Sequence, residues 1–307
     1  MKDISLDLVR VTEAAAIDAS EWIGSGASVQ ADKAATTAMR KRLNNMSFHG
    51  KIIIGEGEKD KSYGLFFGEE VGDNKDLPPY DIAVDPIEGT RPTVTSGPEA
   101  ISSIALAMEG SMYNTDAFYM NRIAYGPKIK SKNIELSLSY SLHHNLRIAA
   151  MALSKSLQDI VVCVLDRPRH SDIIQELRHH RVRIKLIQDC DISGAVATCM
   201  ADSGIDLMYG IGGSPEAILS ACALKCMGGG MEAQSVDENR GWSATSEILS
   251  LEDLVSGPCV FSSTGITDGS ILTGVRFRNT GYITNSVFMR SESGTARWIT
   301  TQHGKRN

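Results

Sequence analysis

The sequence lacks the patterns of several common protein classes. No stretch approaches the roughly 20 apolar residues that a membrane-spanning helix needs. The N-terminal segment, with acidic residues spread through it, does not resemble a secretory signal. The net charge of −6 argues against a nucleic-acid backbone as the main partner. We therefore expect a cytoplasmic protein with neither a membrane nor a nucleic acid as its partner.

Cysteine and histidine are few, and their spacing does not indicate zinc. The six cysteines form no CxxC pair, and several lie in apolar runs, such as Cys163 in VVCVL, as reduced and buried thiols do. The seven histidines form no HxH or HExxH motif. Cys222 and Cys226 are spaced to share a helix face, but two thiols are fewer ligands than a structural zinc ion takes.

Hydrophobic periodicity indicates an α/β protein. The 307 residues, 42% of them hydrophobic, are enough for one large domain or two smaller ones. Apolar spacing predicts helices over about 5–23 and 31–43, followed by strands in KIIIG, YDIAV and SSIALAM. Three strands alternate with helices between about 159 and 227, which predicts βαβ units and a parallel sheet. The last 50 or so residues alternate apolar with polar side chains, which predicts antiparallel strands.

Acidic side chains gather where two apolar strands end. Glu56, Glu58 and Asp60 follow the first strand, and Asp85 and Glu88 follow the second. Hard divalent cations such as Mg²⁺ prefer carboxylate oxygens of this kind. The same acids are also consistent with surface loops in which Glu58 or Glu88 caps a helix. Spacing alone leaves both interpretations open.

The three strands of the predicted parallel sheet end in polar or glycine-rich segments, DRPRH, QDCD and GIGGSPE. Ligands of such sheets bind beyond the carboxyl ends of the strands. Arg167 and Arg169 suit a phosphate group, because a planar guanidinium can bind two oxygen atoms. Glu216 is the last residue of Ser-Pro-Glu, a sequence typical of the start of a helix. It either stabilises the helix dipole or presents a carboxylate at this edge.

Six segments together resemble the bacterial class II fructose-1,6-bisphosphatases. DPIEGT resembles the signature of the wider superfamily, the lithium-sensitive, metal-dependent sugar and inositol phosphatases, and Glu88 within it favours this branch. The likeness spans about residues 5 to 300 and includes IIIGEGEKD, VDPIEGTRPT, AFYMNRIAYGP, LDRPRH, LMYGIGGSPE and STGITDGSILTGVRF.

The resemblance implies a layered α-β-α-β-α sandwich of two subdomains. We expect a metal-binding α/β subdomain over 1–150 and a parallel βαβ substrate-binding subdomain over 151–250. The antiparallel strands of 251–307 are expected to return to the first subdomain. The segment YGPKIKSKN is expected to be a basic, solvated connector and a plausible boundary.

The resemblance also implies the reaction, which is hydrolysis of the 1-phosphate of fructose 1,6-bisphosphate by a metal-activated water. The implied cofactor is Mn²⁺ or Mg²⁺, and its ligands would be Asp32, Glu56, Asp85, Glu88 and Glu216. Thr90 would orient the attacking water together with Asp60 or Glu56. The substrate would contact Glu88, Gly89, Thr90, Tyr119, Arg167, Arg169, Asp189, Asp191 and Gly213. Members of this family are usually homo-oligomers, so a dimer or tetramer is expected.

Three positions depart from the family pattern. Ser28 stands where the family has a basic residue, Arg167 replaces a lysine, and Cys190 replaces a glycine. The first change bears on rate, and the other two bear on affinity or substrate choice. One alternative is the same chemistry on sedoheptulose 1,7-bisphosphate or an inositol phosphate.

The other alternative is a catalytically silent protein that binds a sugar phosphate. Ser28 is its only support. The complete set of candidate ligands opposes it, because buried carboxylates are costly to keep charged without cations.

Overall fold

The structure is a computed structural model that describes residues 4–56, 63–132 and 134–304. The chain divides into two compact units, of which the second is the single segment Thr115–Ser256. The first unit combines Met1–Asn114 with Gly257–Asn307. The boundary expected near residue 150 therefore lies between Asn114 and Thr115, because the strand that follows it is hydrogen-bonded within the sheet of the second unit.

Helices and strands alternate along much of the described chain. The helices are α1 (Ser5–Ser20), α2 (Ser28–Leu43), α3 (Thr90–Thr95), α4 (Pro127–Lys130), α5 (Leu142–Leu153), α6 (Ser171–His179), α7 (Asp191–Ala197), α8 (Ser214–Met227) and α9 (Leu251–Leu254). The strands are β1 (Gly50–Ile54), β2 (Glu70–Val71), β3 (Tyr80–Glu88), β4 (Ile101–Met108), β5 (Tyr119–Tyr125), β6 (Val161–Leu165), β7 (Arg183–Ile187), β8 (Leu207–Gly213), β9 (Gly230–Asp237), β10 (Ser243–Ala244), β11 (Leu249–Ser250), β12 (Cys259–Gly265), β13 (Arg276–Arg278), β14 (Gly281–Arg290) and β15 (Thr295–Gly304).

The sheet of the first unit has the order β13-β14-β12-β4-β3-β1-β2, with β15 beside β14. Strands β1 and β3 are parallel, and β12 pairs antiparallel with β4. The C-terminal strands are antiparallel, as the alternating pattern predicted, and they complete the sheet of the first unit. Helix α1 packs on this sheet through Leu8, Val11 and Ala15, which are fully buried because their spacing puts them on one helix face.

The sheet of the second unit has the order β10-β9-β5-β8-β6-β7, with β11 beside β9. Strand β6 is parallel to β7 and β8, as the βαβ pattern predicted. The sheet is nevertheless mixed, because β5 runs antiparallel to β8 and β9. YGPKIKSKN is not a boundary, since its first residue ends β5 and helix α4 follows within the same unit.

Helices cover both faces of the second sheet, because successive strand side chains point to opposite faces. Val162 and Val164 lie in a core cluster with residues of α5 and α6. Cys163 faces α7, where a Cβ added at Gly194 would lie 3.0 Å from its Sγ. The layered α/β fold is thereby confirmed. Among the helices of the described segments, none combines the length and apolar character needed to cross a membrane.

Candidate active site

The predicted site residues occur in both units of the chain. The first unit contains Asp32, Glu56, Asp85, Glu88, Gly89 and Thr90. The second unit contains Tyr119, Arg167, Arg169, Asp189, Asp191, Gly213 and Glu216. Asp60, predicted to help orient the water, lies outside the described residues, as does Glu58.

Strand β3 carries two acids that the sequence had placed in the turn after it. The strand continues to Glu88, and its register against β4 shifts between the pairs Asp85–Ser103 and Glu88–Ile101. Over this stretch β3 uses one residue more than β4, which is a β-bulge. Pro86 lies inside the bulge, where its missing N–H interrupts no ladder bond. A bulge changes the direction of the side chains beside it, so Glu88 at the end of the strand points differently from the way it would in a regular strand.

The turn after β3 depends on a glycine. Gly89 has a φ of 93°, in the left-handed region that other residues rarely adopt. Its conformation lets α3 begin at Thr90, directly after the strand. Glu88, on the strand side of this turn, is only 4% exposed. A buried carboxylate stays charged only where hydrogen bonds or cations compensate for its lost hydration.

A hydrogen bond joins two helices of the site, α2 and α3. Thr90 Oγ1 donates to Asp32 Oδ1 at a distance of 2.7 Å, although the two residues are far apart in the sequence. The loop before α2 is bound to α3 as well, since the Gly24 N–H donates to the Thr93 carbonyl at 3.1 Å. The structure therefore brings together two residues that the resemblance assigned to one reacting centre.

Glu56 lies two positions after Ile54, the last residue of β1. Its backbone N–H donates to the Leu65 carbonyl at 2.9 Å, and it forms an isolated parallel bridge with Phe66. Gly55 permits this approach, because a Cβ at that position would collide with the same carbonyl. The backbone around Glu56 is thus fixed by contacts with the segment that begins at Leu65.

The donor set of the first unit is made of oxygen atoms alone. It consists of four carboxylates and one hydroxyl, from Asp32, Glu56, Asp85, Glu88 and Thr90. Mg²⁺ and Mn²⁺ favour such ligands, so the donor chemistry fits a hard cation. Within the ranges that the structure describes, no three His, Cys, Asp or Glu side chains are grouped closely enough to hold an ion. The types of ligand atom therefore suit a hard cation, but the described side chains are not arranged around a common point.

The loops after β6 and β7 meet in the second unit, as neighbouring parallel strands require. Arg167 Nη2 forms an ion pair with Asp189 Oδ1, and both side chains are partly exposed, at 28% and 21%. The other oxygen, Asp189 Oδ2, is buried and accepts no hydrogen bond from the residues described. Cys190 follows with a φ of 68°, in a conformation that suits the glycine expected there.

Asp191, the first residue of α7, forms a buried ion pair. Its carboxylate accepts from Arg122 of β5, which is fully buried, and Asp191 itself is 4% exposed. A Cβ at Gly212 would collide with both side chains, so the glycine leaves room for the pair. Asp191 as a substrate contact stays a prediction. Arg122 was not predicted, although an arginine inside an apolar strand signals a buried partner.

Arg169 packs against two adjoining aromatic rings, and one of them was missed by the sequence analysis. Its Cζ is 5.3 Å from the ring centroid of Tyr119 and 5.3 Å from that of Trp242. Its Nε and Nη2 donate to the Ile211 carbonyl at 3.1 and 2.9 Å. Burial lowers the pKa of Arg169 from its ordinary value. The signal for Trp242 was a large aromatic residue directly after glycine in a polar turn.

The neighbouring His170 is structural. Its Nδ1 donates to the Leu165 carbonyl at 2.7 Å, and its Nε2 accepts from the Ile211 N–H at 2.7 Å. This pattern requires the neutral ring with the proton on Nδ1. Burial lowers the pKa of His170, which also favours the neutral form. The histidine thereby connects the end of β6 to β8, beside the arginine loop.

Glu216 lies in the first turn of α8, which begins at Ser214 and has proline near its start. The preceding Gly213 is the N-cap residue of this helix. A Cβ at Gly213 would collide with the Glu216 carboxylate, so the glycine leaves the space that this carboxylate occupies. Stabilisation of the helix dipole and ligation of a cation both remain compatible with this position.

Comparisons with known proteins agree on one family. A profile of the family described as bacterial fructose-1,6-bisphosphatase, glpX-encoded, matches residues 2–303. A protein of Synechocystis sp. is 35% identical over 335 residues, covering 98% of this chain and 96% of the relative. Proteins of Microcystis aeruginosa and Crocosphaera subtropica are each 34% identical, with the same coverage of both chains. All three are named D-fructose 1,6-bisphosphatase class 2/sedoheptulose 1,7-bisphosphatase.

Proposed function

We propose a role for individual residues in the reaction, starting from the family of this chain. The chain belongs to the bacterial, glpX-encoded fructose-1,6-bisphosphatases. The reaction is hydrolysis of fructose 1,6-bisphosphate to fructose 6-phosphate and phosphate. Phosphoryl transfer depends mainly on positioning and on stabilising charge, so each residue is assigned one of these two tasks.

The hydrogen bond from Thr90 to Asp32 supports the assignment of the reacting centre. Because the Thr90 hydroxyl donates its hydrogen bond to Asp32, its oxygen lone pairs remain as acceptors. A water that donates to this oxygen would have its own lone pair directed away from Thr90, toward a phosphorus atom held nearby. Glu56 or Asp60 would take the proton that this water loses.

A divalent cation, Mg²⁺ or Mn²⁺, would be held by Asp32, Glu56, Asp85, Glu88 and Glu216. When bound, such a cation supplies positive charge to the phosphoryl oxygens and lowers the pKa of water. The contribution of the chain is to keep the carboxylates ionised and fixed in direction. Burial of Glu88 on the bulged end of β3 serves only to fix its direction, because a buried side chain has few alternative orientations.

The second unit would recognise the sugar and its distal phosphate. Arg169 uses two of its five N–H groups on the Ile211 carbonyl, and the others have no hydrogen-bond partner among the residues described. Arg167 keeps N–H groups besides the one paired with Asp189. The two guanidinium groups would bind the 6-phosphate, and Tyr119 and Asp189 Oδ2 would contact the sugar. Gly89 and Gly213 would permit close approach of the ligand.

Sedoheptulose 1,7-bisphosphate is the second candidate substrate, because the names of the three relatives combine both activities. We further propose that the enzyme acts in the cytoplasm as a homo-oligomer, a dimer or a tetramer. Light scattering coupled to size-exclusion chromatography tests the oligomeric state, and a monomeric mass would refute it.

Phosphate release from sugar bisphosphates and inositol phosphates tests the function, with Mg²⁺, with Mn²⁺ and with chelator. We expect release from fructose 1,6-bisphosphate that chelator abolishes. The variant Asp85→Ala is expected to lose turnover while its melting temperature changes little. Phosphate release that persists in chelator would refute the proposed requirement for a divalent cation. Tight binding of fructose 1,6-bisphosphate with no release from any substrate would favour the silent binding protein.

A further inference from the structure

Arg169, the arginine of the proposed distal-phosphate site, packs against an aromatic pair from two other elements. We call this pair, Tyr119 and Trp242, the clamp. The rings of Tyr119 and Trp242 meet edge to face, with centroids 5.2 Å apart and an interplanar angle of 74°. The Arg169 guanidinium lies 5.3 Å from each centroid. Both rings thus present electron-rich surface to one cation, which is the geometry of a cation–π contact.

The sheet places Trp242 beside Tyr119. Tyr119 pairs with Val236 of β9, and the short strand β10 folds back so that Ser243 pairs with Asp237. Trp242 lies in the turn between these strands, and its N–H donates to the Asp237 carbonyl at 2.9 Å. The turn that follows β9 therefore delivers the indole ring to the first residue of β5.

The backbone at Trp242 is unfavourable for a bulky residue. Its φ is 65°, in the left-handed region where asparagine and glycine are common and tryptophan is an outlier. Such outliers persist where the surrounding structure requires the side chain, and they concentrate at functional sites. The conformation of the turn directs the ring onto Arg169.

We infer that Trp242 is a positioning residue, which holds the Arg169 guanidinium toward the distal phosphate of the substrate. The inference rests on the proposed role of Arg169. The two adjoining rings and the Ile211 carbonyl hold the guanidinium and leave its remaining N–H groups for a ligand. Glu238 and Glu216 both attract Arg169, so a guanidinium without the indole ring has two carboxylates that compete with a bound phosphate for it.

The clamp makes the affinity for the distal phosphate depend on a residue that does not itself touch it. A pre-oriented arginine loses less conformational freedom when a phosphate binds, and this gain appears in affinity. The effect belongs to ligands that carry the 6-phosphate. Fructose 6-phosphate, the product, is a suitable probe, because its binding is measured without turnover.

Isothermal titration calorimetry with fructose 6-phosphate tests the clamp. Trp242→Asn removes the ring but tolerates the positive φ, and we expect the dissociation constant to rise about fivefold to tenfold. Trp242→Phe keeps a ring and is expected to lose less. Trp298→Leu is the matched control, because this exposed tryptophan lies in the other unit. The affinity of this variant for fructose 6-phosphate should equal that of the wild type.

A double-mutant cycle separates positioning from general loosening. Arg169→Met alone is expected to weaken binding, and adding Trp242→Asn to it should cause no further loss, since the ring acts through the arginine. Losses that multiply in the double variant, or normal affinity in Trp242→Asn, would overturn the inference. If the wild type released no phosphate but the cycle showed this coupling, the proposed function would fail and the clamp would stand.

Discussion

Replacing Thr90 by valine tests the reacting centre most directly, because it removes one hydroxyl and keeps the shape of the side chain. The lost hydrogen bond to Asp32, 2.7 Å long, has a charged acceptor and contributes about 1.5–3 kcal/mol. This bond is already made in the free protein, so its energy counts toward stability, and kcat/KM falls only through misplacement of the attacking water. Because a misplacement of about 1 Å costs about 100-fold, we expect kcat/KM to fall by about 100-fold.

The assay is phosphate release from fructose 1,6-bisphosphate with Mg²⁺, together with thermal melting of each variant. Thr90→Ser retains the hydroxyl and should lie within about tenfold of the wild type. Thr95→Val is the matched control, because Thr95 is an exposed threonine of the same helix whose hydroxyl donates to the Arg91 carbonyl at 2.8 Å. A Thr90→Val enzyme as active as Thr95→Val would refute the assigned role.

Three further changes probe the second unit. Asp191→Asn removes the charge paired with fully buried Arg122 and should lower the free energy of unfolding in urea by about 3–5 kcal/mol. Because burial lowers the pKa of His170, the folded state binds fewer protons than the unfolded state. Stability should therefore be complete above about pH 6.5 and fall below it, by up to about 1.4 kcal/mol per pH unit, and less steeply in His170→Asn. Gly213→Ala should displace the Glu216 carboxylate and raise the Mg²⁺ concentration for half-maximal turnover about tenfold.

Each of these changes has a control. Asp159→Asn breaks an ion pair with Arg183 whose side chains are 51% and 66% exposed, and it should cost less than about 1 kcal/mol. An equal cost for the buried and exposed pairs would contradict the first prediction. An unaltered pH slope in His170→Asn would contradict the second. Gly304→Ala adds a methyl group where no atom lies within 4 Å, so a matching shift there would contradict the third.

Local patterns predicted the elements whose burial repeats regularly. Helix α1 was expected because its apolar residues recur at helical spacing, and β4 was expected because ISSIALAM is almost entirely apolar or small. Strand β5 was not predicted, since Asn121 and Arg122 interrupt its apolar pattern. The partner that makes Arg122 tolerable inside a sheet is Asp191, 69 residues later, and no local rule reports such a pairing.

The reacting centre shows the same limit. The sequence marked Asp85 and Glu88 as acids after a strand, but the bulge that extends β3 to Glu88 depends on pairing with β4. The bond between Thr90 and Asp32 spans 58 residues. Spacing left metal ligation and surface capping equally open; metal ligation is implied only by the motif pattern over the whole chain, and it stays a prediction. Local periodicity reports burial, whereas a site is defined by residues that distant elements bring together.

Two loops of the second unit carried a local signal in the conformation of their backbone. Trp242 and Cys190 both have positive φ, at 65° and 68°, where turn rules favour glycine or asparagine. A residue that breaks such a rule must be held by contacts from elsewhere in the fold. Trp242 is held against Arg169, and Cys190 lies between Asp189 and Asp191. Leu65, Glu99 and Arg181 have positive φ as well, so this conformation alone does not mark a binding loop, and what distinguishes Trp242 is its contact with Arg169.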